Sequence, residues 1–99
     1  MALTAFLDLK LKPESLDKAK EVMSKVLADT RAFDGCLGVD VLVDNTDESH
    51  WVVVEKWESL DADKAYRAWR ATPEGAISDL GPLLAGAPGL TSYTLDPDV

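Results

Sequence analysis

Trp57, Tyr66 and Trp69 stand within EKWESLDADKAYRAWRATPEG, Glu55 to Gly75. Each brings a flat apolar ring. Trp57 adds an indole N–H and Tyr66 a phenol O–H. Apolar walls with one or two placed donors are what a site for a planar aromatic ligand requires. Ala62, Ala65, Tyr66 and Trp69 fall at i, i+3, i+4 and i+7, the spacing of one helix stripe. Rings on a stripe that faces a sheet also make ordinary core. The stretch therefore reads either as packing or as the wall of a pocket.

Other reactive residues are few. Asp8 sits on a largely apolar strand, where an acid facing a cavity could act as a base and one facing water would be plain surface. His50, the sole histidine, is a second base candidate at a hairpin edge. Arg31 and Arg67 read as helix-surface ion pairs, and Trp51 as packing for a subunit surface. One His and one Cys, Cys36, cannot build a common zinc shell, so no metal is expected. Asp44 to Glu48 match a calcium loop in charge but not in ligand spacing. No phosphate loop, dinucleotide fingerprint or nucleophile elbow occurs.

The totals narrow the classes further. A net charge of −8 repels phosphate backbones and anionic lipid, which argues against nucleic-acid and membrane partners. A single cysteine allows no internal disulfide and fits a reducing, cytoplasmic setting. The start, MALTAFLDLKLKP, lacks the pattern of a secretory signal. No apolar run approaches the ~18–20 residues of a membrane span. Ninety-nine residues suit one domain, 1–99, with little room for a deep private cavity.

The elements that must position these residues follow from periodicity. Leu3 to Leu11 partly alternates and predicts a strand, with Leu7, Leu9 and Leu11 on one face and Asp8 and Lys10 on the other. Pro13 opens a helix whose stripe is Leu16, Ala19, Val22, Met23, Val26, Leu27 and Thr30. Glu14–Lys18 and Glu21–Lys25 have the spacing of helix ion pairs. Gly35 ends this segment. Cys36 to Val43 and His50 to Trp57 predict a hairpin around a polar turn, Asp44 to Ser49. Ser59 can cap a second helix. Thr72-Pro73 should break it, with Thr72 capping a short further helix that carries Ile77 and Leu80. Gly81 to Gly89 reads as loop and Leu90 to Leu95 as the last strand. The order βαββαβ is the α+β, ferredoxin-like arrangement: one antiparallel sheet with two helices on a single face. CLGVDVLV and VVVEKW are apolar on both faces, so the second face needs a cover. A homodimer that packs two open sheet faces together would supply it, as a dimeric α+β barrel.

These segments resemble a known family. KPESLDKAKEVMSKVLADTRAFDGCLGVDV, then VVVEKWES, then A-Y-x-A-W-x-A-T-P are similar to the antibiotic biosynthesis monooxygenase (ABM) domain over nearly the whole chain. The resemblance implies the dimeric barrel fold and a small aromatic partner. In its quinone-forming type a Trp ends strand three, an Asn lies four residues earlier and a Tyr stands on the second helix. Trp57 and Tyr66 match as catalytic residues, and Val53 stands where the Asn would be. The heme-degrading type uses an Asn in strand one, a Trp on the second helix and a His nine or ten residues on. Asp8 and Trp69 fall at the first two positions. Ser78 and Asp79 occupy the ligand spacing, and neither is a common heme ligand.

What the resemblance implies is a cofactor-independent monooxygenase. It would oxidise a phenolic or polycyclic aromatic with O2, with Trp57 and Tyr66 as donors and Trp69, Asp8 and Val53 toward the substrate. The substrate would supply the electrons, so no cofactor is expected. The alternative is a non-catalytic dimer that binds a small apolar ligand or serves a structural role. A heme-degrading oxygenase is disfavoured by the missing ligand.

Overall fold

A computed structural model gives the fold and describes residues 2–99. The elements follow in the order β1 (Leu3–Lys10), α1 (Leu16–Ala32), β2 (Cys36–Asp44), β3 (Asp47–Trp57), α2 (Leu60–Arg70) and β4 (Gly89–Thr94). The strands form one antiparallel sheet in the order β2-β3-β1-β4, with both helices on one face. This is the ferredoxin-like topology that the element order predicts.

Strand alternation decides what lies under the helices. Along β3, Trp51, Val53, Glu55 and Trp57 are buried, while His50, Val52, Val54 and Lys56 point the other way. On β1, Leu3, Ala5 and Leu9 face the same side as that buried row. The stripe of α1 closes over them with Ala19, Val22, Met23, Leu27 and Thr30. The opposite face carries Phe6, Leu42, Val52, Val54 and Tyr93 without cover. Leu42 is 54% exposed and Tyr93 60%. Phe6 and Tyr93 touch edge to face at 5.7 Å.

Three joints hold the helices in place. Pro13 begins a tight helical turn, Pro13–Ser15, that leads into α1. Gly35 turns the chain from α1 into β2 at φ 90°, where a Cβ would sit 2.5 Å from the Ala62 Cβ. Ser59 caps α2, its hydroxyl accepting from the Ala62 amide at 3.1 Å.

Several expectations are corrected. The hairpin turn is only Asn45-Thr46, because Asp44 folds its carboxylate onto the Thr46 amide and hydroxyl, both at 2.8 Å, so β3 starts at Asp47. No helix follows Thr72. Its hydroxyl donates to the Trp69 carbonyl at 2.6 Å instead, and the next helical turn is Gly81–Leu83. Ala65 is exposed, and the inward side of α2 is Ala62, Asp63, Tyr66, Trp69 and Arg70. Trp51 does not face a subunit surface. It shares the inward row of β3, is 3% exposed, and donates to the Glu48 carbonyl at 2.9 Å. Lys18 pairs with Glu21 at 3.8 Å rather than with Glu14, which precedes α1.

Candidate functional site

Trp57, Tyr66, Trp69 and Phe33 form one aromatic cluster. Trp57 ends β3 on its inward row and is fully buried. Tyr66 lies over it from α2, ring centroids 4.8 Å apart and planes 36° off parallel. Phe33, just past α1, meets the Trp57 and Tyr66 rings nearly edge-on at 6.1 and 5.3 Å and lies 5.5 Å from Trp69. Each such pair adds about 0.5–1.5 kcal/mol beyond the area it buries. Sequence reading missed Phe33, whose place beside the helix-ending Gly35 gave it no periodic signal.

The donors of the cluster have partners. Trp57 Nε1 donates to Glu55 Oε1 at 3.2 Å. The Tyr66 oxygen accepts from Arg70 Nε at 2.8 Å and lies 2.7 Å from Thr30 Oγ1. Thr30 Oγ1 also donates to the Val26 carbonyl at 3.2 Å. With the threonine proton placed there, the Tyr66 proton goes to Thr30. Arg70 Nη2 binds the Val26 carbonyl and Thr30 Oγ1, both at 3.0 Å, and Nη1 binds the Gly75 carbonyl at 3.1 Å. Gly75 is tied closely in turn: a Cβ there would lie 2.1 Å from the Trp69 carbonyl oxygen.

Beside this network is a buried ionic cluster that sequence reading did not find. Glu55 is 2% exposed and accepts from Arg67 Nη2 at 2.6 Å. Asp63 Oδ1 lies 3.1 Å from the same nitrogen. That second contact lacks hydrogen-bond alignment, and Asp63 Oδ1 and Arg67 Nε are buried without hydrogen-bond partners. Two signals point to this cluster. Glu55 shares the inward row with Trp57 by a period of two, and Asp63 and Arg67 are an i,i+4 pair. Arg67 and Arg70 both reach over the Tyr66 ring, at 5.0 and 5.1 Å from its centroid, and Arg70 lies 4.6 Å from that of Trp69.

A cleft of about 190 Å³ opens between α1 and the segment 74–79. Val22, Val26, Ile77 and Arg70 line it, with charges from Lys25, Asp29, Glu74 and Asp79. Arg70 is the residue that the cleft and the aromatic cluster share.

Val53 and Asp8 stand apart from these rings. Val53 is on the inward face but four residues earlier on β3, about 13 Å along the strand. Asp8 faces the opposite side of the sheet, where Asp8 Oδ2 and Asp44 Oδ2 lie 2.8 and 2.9 Å from the two ring nitrogens of His50. Both nitrogens must donate to satisfy both carboxylates, so the geometry suits the charged imidazolium. Its pKa is raised, by Asp44 first and then Asp8. Asp44 is held down to about 2 by His50 and then Thr46. Cys36, packed against the inward core, has its thiol pKa raised by burial.

Among the described residues no group of three or more His, Cys, Asp or Glu is arranged to hold a metal ion, and no helix is long and apolar enough to cross a membrane.

The sequence profile of the family described as antibiotic biosynthesis monooxygenase matches residues 3–75. No curated protein matches the chain. Solved structures do. A proposed antibiotic biosynthesis monooxygenase of Caulobacter crescentus superposes with a TM-score of 0.82 at 25% identity, covering 96% of this chain and 91% of that one. SnoaB, a cofactor-independent oxygenase from Streptomyces nogalater, superposes at 0.81 with 14% identity, covering 95% and 92%. Rv0793 from Mycobacterium tuberculosis gives 0.77 at 19%, with full coverage of both chains. The last two likenesses bear on the fold alone.

Proposed function

Since this chain belongs to the antibiotic biosynthesis monooxygenase family, we propose that it is a cofactor-independent monooxygenase that converts a phenolic aromatic to a quinone with O2. The observation that carries this reading is the Tyr66 oxygen, held by Thr30 and by Arg70, which also lines the cleft. SnoaB, whose fold this chain shares, is a cofactor-independent oxygenase.

The reaction balances without a cofactor. A phenol with a free ring C–H, plus O2, gives a quinone and one water. The phenol first loses its O–H proton, and the phenolate passes one electron to O2. The radical pair joins as a carbon–oxygen bond at the ring carbon. The resulting hydroperoxide loses its outer oxygen as hydroxide while the ring C–H proton leaves, forming the second C=O and water. The protein must hold the ring flat and stabilise the negative charge that develops on oxygen. Trp69 and Tyr66 would supply walls only once the packed rings part, since the cleft itself is lined by Val22, Val26, Ile77 and Arg70 and by neither ring. Arg70, close to the Tyr66 ring and without a paired carboxylate, supplies fixed positive charge, whereas Arg67 is neutralised by Glu55 and Asp63. Trp57 and Tyr66 are the catalytic donors in this reading. Each must exchange its present acceptor, Glu55 or Thr30, for the reacting oxygen. Val53 cannot donate a hydrogen bond and is packed in the core away from the cleft, so it has no part in the proposed pocket. Asp8, on the far face, is left out of the proposed pocket.

The working unit in this proposal is a homodimer that covers Phe6, Leu42, Val52, Val54 and Tyr93 with the same face of a second copy. A second reading, a non-catalytic dimer that binds a small aromatic, draws on one observation: both donors are already satisfied inside the chain. The residues do not fit heme, because the chain's one histidine lies across the sheet from Trp69, bound to two carboxylates.

Oxygen uptake separates the readings. Metal-free protein with a panel of anthrones and phenols that have a free para position should consume O2 above the buffer rate, and Trp57→Phe should slow it. No uptake across the panel would leave the binding reading in place.

A further inference from the structure

Arg67 and Arg70 sit one turn apart on α2 and differ in one respect. Arg67 has two carboxylates, Glu55 and Asp63. Arg70 makes four hydrogen bonds, and every acceptor is uncharged: the Tyr66 phenol, the Thr30 hydroxyl and the Val26 and Gly75 carbonyls. It is a half-buried guanidinium without a counter-ion in a chain of net charge −8. Carboxylates are at hand. Asp29, Glu74 and Asp79 line the same cleft, yet among the described residues none pairs with Arg70.

We propose that Arg70 is the anion subsite of this cleft and takes the oxyanion of a one-ring aromatic, a phenolate, laid against Val26 and Ile77. The bonds that hold the guanidinium now carry charge on the donor alone, and a phenolate oxygen would add charge on the acceptor. An entering phenolate therefore competes well against the carbonyls and hydroxyls that hold the guanidinium now. Those same bonds keep the guanidinium in one orientation, which lowers the ordering cost of binding. Size sets the ring count. The cleft measures about 190 Å³, against the ~150 Å³ of an apolar cavity that takes one benzene and the ~300–1,000 Å³ of sites for larger ligands. The apolar lining of Val22, Val26 and Ile77 suits the ring. This inference deepens the oxygenase reading, on which it rests only for the claim that the bound phenolate is a substrate. The ionised form is also the one that gives an electron to O2.

The test is calorimetry on the full chain in oxygen-free buffer, with para-nitrophenolate and its neutral relative para-nitroanisole. The phenolate should bind at least ten-fold more tightly than the anisole. Arg70→Gln should erase that preference. Lys10→Gln, an exposed site outside the cleft with the same charge change, should keep it. Equal binding of the two probes, no binding of either, or an unchanged preference in Arg70→Gln would overturn the proposal. Should Arg70→Gln not fold, the Arg70 Nε–H resonance of the wild-type protein decides: it should shift on adding phenolate, and a resonance that stays put refutes the subsite. Phenolate bound through Arg70 without any oxidation would sink the oxygenase reading and leave the subsite. Oxygen uptake unaltered by Arg70→Gln would do the reverse.

Discussion

The two faces of the sheet are built from alternate residues of the same strands, yet they handle charge differently. Under the helices, Glu55 is almost fully buried and its oxygen is divided between Arg67 and Trp57. On the bare face, His50 bridges Asp8 and Asp44 with its side chain 29% exposed. Desolvation makes the first cluster depend on every partner being present. The second is open to water and answers to pH. In the proposed reading, chemistry that needs fixed charge in a dry place would use the covered face, and assembly the bare one.

The largest break in this comparison should come from truncating matched positions on β3. Trp57→Ala removes a fully buried ring and should cost about 3–5 kcal/mol in urea unfolding. Val52→Ala, on the bare face, should cost at most about 1 kcal/mol in the monomer. Similar losses would show that the two faces are packed alike. Next is Glu55→Gln, which leaves Arg67 with Asp63 alone. Loss of one partner from a buried pair costs ~3–5 kcal/mol, and the partial exposure of Arg67 brings the expectation to about 2–3. Circular dichroism melts of the variant would read it.

Assembly sharpens the contrast from the other side. Val54→Lys places a charge in the middle of the bare apolar face. Light scattering should find a dimer for the wild type and a monomer for the variant, with the thermal midpoint of the separated monomer little changed. The smallest effect is the pH response of the bare face. The pKa of His50 is raised from 6.5 by Asp44 and Asp8. Its contribution to stability is complete below that ordinary value and is lost as pH rises through the raised one. Asp44, lowered from 3.8 to about 2, contributes above pH 3.8 and loses that contribution as pH falls toward 2. Unfolding midpoints should therefore decline gently above pH 6.5, and His50→Gln should flatten the decline.

The fold was legible because its signals are periodic. The stripe of α1 reappears as the buried set Ala19, Val22, Met23, Leu27 and Thr30, and the element order gave the topology. The aromatic cluster was legible in part. Periodicity placed Tyr66 and Trp69 on one helix, and the family likeness singled out Trp57. The partners were harder, because charged residues are read as surface by default. Glu55, Asp63 and Arg70 are turned inward by strand and helix geometry, and each is stabilised by contacts made only after the chain folds. Trp51 misled for a related reason. A ring at a strand end can face either way, and only the register Leu9↔Trp51 fixes its side.

The central claim is that this chain inserts one oxygen atom from O2 into a phenolic ring without a cofactor. The direct measurement is mass spectrometry of the product formed from a phenol with a free para position under ¹⁸O₂, using metal-free protein. The account predicts one heavy oxygen in the quinone and the other in water, in a reaction that Trp57→Phe slows. A quinone without label, or none beyond the protein-free control, would contradict it.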